Sequence, residues 1–419
     1  MNSIEMMIAR AEKELQGQFA EIEANEEKRT RQVLDTFRKF SVSYRHFAPT
    51  TGYGYDDIGR DTLEKIYADL FHSEAALMRP HVASGTAALS LTLFGMTKPG
   101  DRILSATGMP YDTLQTVIGT GNSTPPGSLK ETGVGFDCVE LKDGKIDVEA
   151  VEAAITEKTS LIIAQRSRGY AWRPSLMPEA FAELAGMIHA RHPDIRLMVD
   201  NCYGEFVCGD EPTDYGADLC VGSLIKNPGG GIAPTGGYVV GRTEDIDRIA
   251  YRLTAPGLGR ELGSYAASYR PFYQGLFMAP HTVTQALKTA LLTARVFENL
   301  GFATTPPSDE RRADIIQAIR FGNPELLVAF CQGIQTASPV DSMALPEPWD
   351  MPGYDDQVVM AAGTFVAGAS IELSADGPMR EPYTAYMQGG LTYTHGRIAL
   401  AEALGRMMKT GALRVNIRE

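Results

Sequence analysis

The sequence is short of several features that would each point to a particular class of protein. Basic residues are the minority: 39 lysines and arginines stand against 52 aspartates and glutamates, a net charge of −13. That balance argues against a nucleic-acid partner, because phosphate backbones are met by basic surfaces. No apolar run approaches the length needed to cross a bilayer. The opening residues, MNSIEMMIARAEKELQGQF, form a charge-laced amphipathic pattern without a signal-peptide core. No membrane partner and a cytoplasmic location are therefore expected. The five cysteines (Cys138, Cys202, Cys208, Cys220, Cys331) are odd in number and lack a CxxC pair, so buried free thiols are expected rather than disulfides. Seven scattered histidines with no HExxH and no paired Cys/His spacing give no metal site. Internal repeats and low-complexity tracts are also lacking.

What is present is an ordinary globular composition, 44% hydrophobic and 22% charged, in a chain of 419 residues, long enough for a large core and more than one domain. Residues 3–40 have a polar helical pattern and lead into an irregular arm, 50–57, rich in glycine and tyrosine. A helix follows, with Asp61 as its expected cap. From 74 to 255, short apolar runs (75–78, 102–105, 160–164, 195–199, 218–222, 237–240) alternate with helical patterns (87–96, 147–155, 178–191). Such alternation predicts βαβ units and an α/β fold with a large, mainly parallel sheet. A helix over 281–300 and the prolines at 306 and 307 mark a change. Beyond them, strands at 327–335, 357–362 and 369–373 and a closing helix at 396–408 suggest a smaller α+β C-terminal domain. The expected division is 1–60 for helix and arm, 61–300 for the large domain and 301–419 for the small one.

The chemistry centres on Lys226. It follows a buried run ending in Gly222-Ser223 and enters the turn Gly229-Gly230-Gly231. Upstream, another apolar run ends on Asp200. Ligands bind outside the carboxyl ends of strands in such sheets, and both residues fall there. A lysine that can form a Schiff base, and a carboxylate that keeps a pyridine nitrogen protonated, are what pyridoxal 5'-phosphate chemistry requires. Ser84-Gly85-Thr86 at a helix N-terminus offers an anion site, and Ser223 a second phosphate ligand. Tyr111, after the run 102–105, reads either as an aromatic that stacks on a ring and serves as an acid or base, or as a buried structural tyrosine.

These stretches resemble the fold-type-I pyridoxal-phosphate enzymes of the cystathionine γ-synthase/methionine γ-lyase group, in its aluminium-resistance branch. GYGYDDIGRDTLEKIYADLF, HVASGTAAL, GMPYDTL, QRSRGYAWRPSL, VDNCYGEF, SLIKNPGGGIAPTGGY and SADGPMREPYTAYMQGGLTY carry the resemblance, over residues 50–395. It implies the aspartate aminotransferase-like fold and a lyase acting by β- or γ-elimination. The leaving group would be a thiol or a halide, including a γ-halo amino acid that yields an alkynyl product. Lys226 would be the proton shuttle, Asp200 the partner of the ring nitrogen, and Tyr111 the stacking aromatic. Gly85, Thr86 and Ser223 would hold the phosphate, completed by Tyr55 and Arg60 from a neighbouring subunit's arm in a homodimer or homotetramer. Arg380, after an expected turn at Asp376-Gly377-Pro378, would meet the substrate carboxylate, with Arg397 as second choice.

One departure stands out. Asp200-Asn201-Cys202-Tyr203 matches the Asp-x-x-Tyr of aminotransferases, which makes Tyr203 a candidate partner of the cofactor's ring hydroxyl. The arginine that those enzymes carry shortly after the lysine is missing; the next here is Arg242. Transamination, an aldolase reaction and a non-catalytic B6-binding stress protein remain as alternatives.

Overall fold

The computed structural model describes residues 3–351 and 356–413. Seven strands form the first sheet: β1 Ala75–Arg79, β2 Arg102–Ser105, β3 Gly135–Cys138, β4 Thr159–Gln165, β5 Arg196–Asp200, β6 Leu219–Ser223 and β7 Gly237–Gly241, in the order β1-β7-β6-β5-β4-β2-β3. The run from β6 to β3 is parallel, whereas β7 is antiparallel to both β6 and β1. Both faces are covered. Met78, Leu104, Val199 and Val240 enter one apolar cluster, and Leu77, Ile103, Met198 and Val239 the other. Burial on both sides is why these strands read as unbroken apolar runs.

A second sheet is antiparallel: β8 Ala303–Thr305, β9 Gln317–Arg320, β10 Val358–Ala361, β11 Ser374–Pro378 and β12 Thr384–Gln388, ordered β10-β11-β12-β9-β8. One face, with Ile319, Ala375, Ala385 and Met387, packs on helices Pro324–Thr336 and Tyr393–Lys409 and on Ile8 of helix Ser3–Glu14. The other face carries Asp376, Tyr386 and Gln388 towards the first sheet.

Several expectations need correction. Residues 327–335 are helical, not a strand. Asn323 caps the helix by accepting the Glu325 and Leu326 N–H groups, Pro324 opens it, and Leu327, Cys331 and Ile334 recur at helical spacing. Residues 369–373 precede a strand, and the expected turn at 376–378 is β11 itself, since its glycine and proline fit a strand end. The cap of helix Ile58–Leu70 is Asp57, which accepts the Gly59 and Arg60 N–H groups, with Asp61 inside the first turn. The helix expected at 281–300 spans Arg270–Asn299, with Pro280 inside it. Among the described residues no helix is long and apolar enough to cross a membrane, and the five cysteines are free thiols.

Candidate active site

The carboxyl ends of β4, β5 and β6 lie side by side, with Gln165 opposite Asp200 and Asp200 opposite Val221. A cavity of about 430 Å³ opens above them, and β11 and β12 form its far wall. Eight residues singled out in the sequence line it: Ser84, Gly85, Thr86, Tyr111, Asp200, Tyr203, Ser223 and Lys226.

One end is built for an anion. Ser84 caps helix Gly85–Met96, its Oγ accepting the Ala87 N–H at 3.0 Å. A Cβ on Gly85 would stand 3.2 Å from Ser223 Cβ, so a larger residue would crowd the recess. The Ser223 Oγ is buried and has no hydrogen-bond partner. An unpartnered hydroxyl beside a helix N-terminus suits a phosphate. The donor set therefore fits pyridoxal phosphate, with Asp200 and Lys226 standing beyond this recess.

Asp200 is 8% exposed, and its Oδ1 accepts the Cys202 N–H at 3.1 Å. Burial pushes its pKa up, opposed by the Lys226 charge. Behind it, Asn201 accepts from Arg166 at 2.8 Å and donates to Glu211 at 3.0 Å, and Glu211 pairs with Arg29 of the N-terminal helix Gln16–Lys39. This buried network pins the turn after β5. Lys226 Nζ lies 3.9 Å from the centroid of the Tyr203 ring. Burial works against the ammonium form, but Cys202, Tyr203 and Asp200 outweigh it and raise the amine's pKa. Tyr203 presents its ring from a left-handed backbone, φ 74°, at a typical cost of about 1–2 kcal/mol. Asn227 holds that turn, its amide donating to the Tyr203 and Glu205 carbonyls.

Tyr111 begins the helix Asp112–Ile118, and its N–H donates to Gln165 Oε1 at 2.8 Å. Gln165 also donates to the Ser167 carbonyl, so one side chain fixes the tyrosine and the loop after β4. Gly169, at φ +57°, is the left-handed turn that lets this loop pass the ring. In the WRPS stretch, Arg173 clamps the same loop through the Gln165 carbonyl at 3.2 Å, and burial lowers its pKa to about 10.

Four expected residues are not on the cavity wall. Arg380 pairs with Asp356 at 2.8 Å and lines an adjoining chamber of about 510 Å³, which shares Tyr111, Gln165, Gly169 and Tyr170 with the cavity. Arg397 pairs with Glu5 and Glu12 of the first helix, away from the cavity lining. Arg60 is 1% exposed and donates to the Gly54 carbonyl and Asp61 of its own arm, so as placed it does not reach outward to a neighbour. Tyr55 is 55% exposed, 5.6 Å from the Tyr53 ring. Gln165, Asp376, Tyr386 and Gln388 also line the cavity; they lie in the stretches that carry the family resemblance but were not singled out as site residues. Period-two alternation in 384–388 puts the last two on one face of the strand.

Residues 4–408 match the family described as methionine gamma-lyase. The chain is 52% identical over 399 residues to protein YnbB of Bacillus subtilis (strain 168), covering 95% of each. A solved carbon-sulfur lyase involved in aluminum resistance, from Clostridium novyi NT, is 48% identical with a TM-score of 0.92, covering 96% of this chain and 95% of that one. The L-methionine gamma-lyase of Pseudomonas putida is 30% identical over 199 residues, 47% of this chain and 45% of that protein.

Proposed function

The chain belongs to the methionine gamma-lyase family, with its fold and its pyridoxal-phosphate cofactor, and on that premise we propose that it is a lyase releasing a thiol from an amino acid by β- or γ-elimination. The observation that carries this reading is the meeting of Lys226, Asp200 and the unpartnered Ser223 hydroxyl in one cavity.

When bound, pyridoxal phosphate supplies an electron sink for charge developing at the substrate α-carbon. Ser84, Gly85, Thr86 and Ser223 bind the phosphate. Asp200 holds a proton at the pyridine nitrogen, which its buried carboxylate stabilises. Lys226 takes the α-proton as its free amine. Tyr111 would stack on the ring and present its phenol to the leaving group, and Tyr203 would hold the ring hydroxyl. Arg380 enters from the adjoining chamber to meet the substrate carboxylate once Asp356 is displaced. In a homo-oligomer, the exposed Tyr55 of one subunit would reach its neighbour's phosphate.

A halide leaving group would need the same residues, so a γ-halo amino acid belongs in the substrate panel. The test is the absorbance of the purified protein, followed by assays for ammonia and keto acid with cystathionine, methionine, cysteine and γ-halo amino acids. A yellow protein whose band is lost in Lys226→Ala, and which releases keto acid and thiol, is expected. Keto acid formed only with an acceptor would instead identify an aminotransferase. A colourless protein that takes up no cofactor would sink the reading.

A further inference from the structure

The wall formed by the second sheet carries a carboxyl that the mechanism above leaves unused. Asp376 stands on β11 opposite Tyr386 of β12, and its neighbour Ala375 faces the helices on the other side of the sheet. Asp376 lines the cavity, while its Oδ1 is enclosed and takes no hydrogen bond. The Tyr170 and Gln388 side chains bond the carboxyl. An enclosed oxygen that no donor reaches disfavours the charged carboxylate, so a proton is held on a carboxyl whose residue lines the cavity.

We propose that Asp376 is the proton donor to the leaving group, a second acid in the cavity beside Tyr111. The inference rests on the lyase reading. Burial pushes the Asp376 pKa up to about 7 against its two hydrogen bonds, so its proton is held and transferable near neutrality. Substrate α-amino and α-carboxylate groups are taken up elsewhere, which leaves the side-chain heteroatom as the acceptor. As the carbon–sulfur bond breaks, its electron pair stays on sulfur, the Asp376 proton moves to that sulfur and a neutral thiol departs. The α-proton remains on Lys226, and the Asp376 carboxylate is reprotonated from water.

The groups facing Asp376 on the cavity side are the Tyr170 and Tyr386 phenols and the Gln388 amide, while the Cys331 thiol of helix Pro324–Thr336 lies on the other face of the sheet. Arg168, Arg320 and Arg380 stand around Tyr386 with fixed charge. Burial pushes Tyr386 up to about 12 and Cys331 well above its ordinary value, so neither changes charge where Asp376 does.

The test compares wild type and Asp376→Asn holoenzyme on an alkyl thioether substrate and its S-(2-nitrophenyl) counterpart, whose leaving group needs no acid. Alkyl thiol release should fall about 100-fold, while nitrophenyl thiolate release and α-proton exchange into D2O should stay within about threefold. Infrared difference spectra of the two proteins, taken without substrate, should show a protonated carboxyl band at acid pH that is lost in alkali. Equal loss on both substrates, or no such band, overturns the proposal. Should the variant fail to fold, wild type decides: alkyl release should decline above about pH 7 and nitrophenyl release should not, and parallel profiles overturn it. Wild type that exchanges no α-proton with any amino acid of the panel sinks the lyase reading, and this proposal with it.

Discussion

The two walls of the cavity are built in different ways. On the first sheet, each chemical group sits at or just past the end of a buried strand: Gln165 ends β4, Asp200 ends β5, Ser223 ends β6 and Lys226 follows three residues on. On the second sheet, Asp376 and Tyr386 stand within strands and Gln388 ends one, all on the face away from the core. A polar residue ending an apolar run is conspicuous, and the polar face of a short antiparallel strand is not. The first wall is thus the general part of the molecule, fixed by what any pyridoxal-phosphate enzyme requires. The second is where substrate choice can vary with little cost to the fold.

Lys226→Ala breaks the first wall most severely. It should lower turnover by about 10⁴-fold and abolish the visible absorbance of the bound cofactor, with the far-ultraviolet circular dichroism kept. Asp200→Asn comes next. On the proposed assignment it removes the charge opposite the ring nitrogen and should slow α-proton exchange by roughly 100-fold, measured by NMR in D2O, while cofactor remains bound. If Asp200→Asn were neutral, the first wall would hold the cofactor without activating it, and the contrast between the walls would fail.

How far the sequence revealed each wall follows from the same difference. The strands β1, β2 and β4 to β7 were legible to within about a residue, because burial on both faces leaves apolar runs and glycine-rich breaks. With the strands came Asp200, Ser223 and Lys226. In the C-terminal part, LLVAFCQGI was as apolar as a strand although its spacing is helical, and SADGP carries the glycine and proline of a turn although β10 and β12 pair with it on either side. Arg397 looked available until the structure paired it with Glu5 and Glu12, contacts formed between residues at opposite ends of the chain. Long-range pairing of this kind leaves no local pattern to read.

Arg380→Lys probes the chamber beside the second wall, with a smaller effect. Lysine keeps the charge but loses the planar fork, so KM should rise about tenfold with kcat nearly unchanged. Asp356→Ala, which frees Arg380 of its ion pair, should move KM the other way. A fall in kcat at constant KM would mean that Arg380 serves the reacting atoms, and the division of labour between the walls would have to be redrawn.

The smallest effect on activity is expected at Glu205, which tests whether a buried carboxyl matters to chemistry only when it reaches the cavity. Like Asp376 it is held protonated: burial raises its pKa to about 8, although Tyr238 donates to its Oε1 at 2.8 Å. Unlike Asp376, it does not line the cavity. The folded chain keeps the Glu205 proton up to about pH 8, while the unfolded chain releases it near the ordinary carboxylate value. This group's contribution to stability is therefore complete at low pH and is lost as the pH rises through that window, by up to about 1.4 kcal/mol per pH unit. Urea unfolding of Glu205→Gln at several pH values should flatten that slope, with kcat changed by less than about twofold. A large drop in kcat with the slope intact would place Glu205 in the proton path beneath Lys226 and erase the distinction drawn here between enclosed and cavity-facing acids.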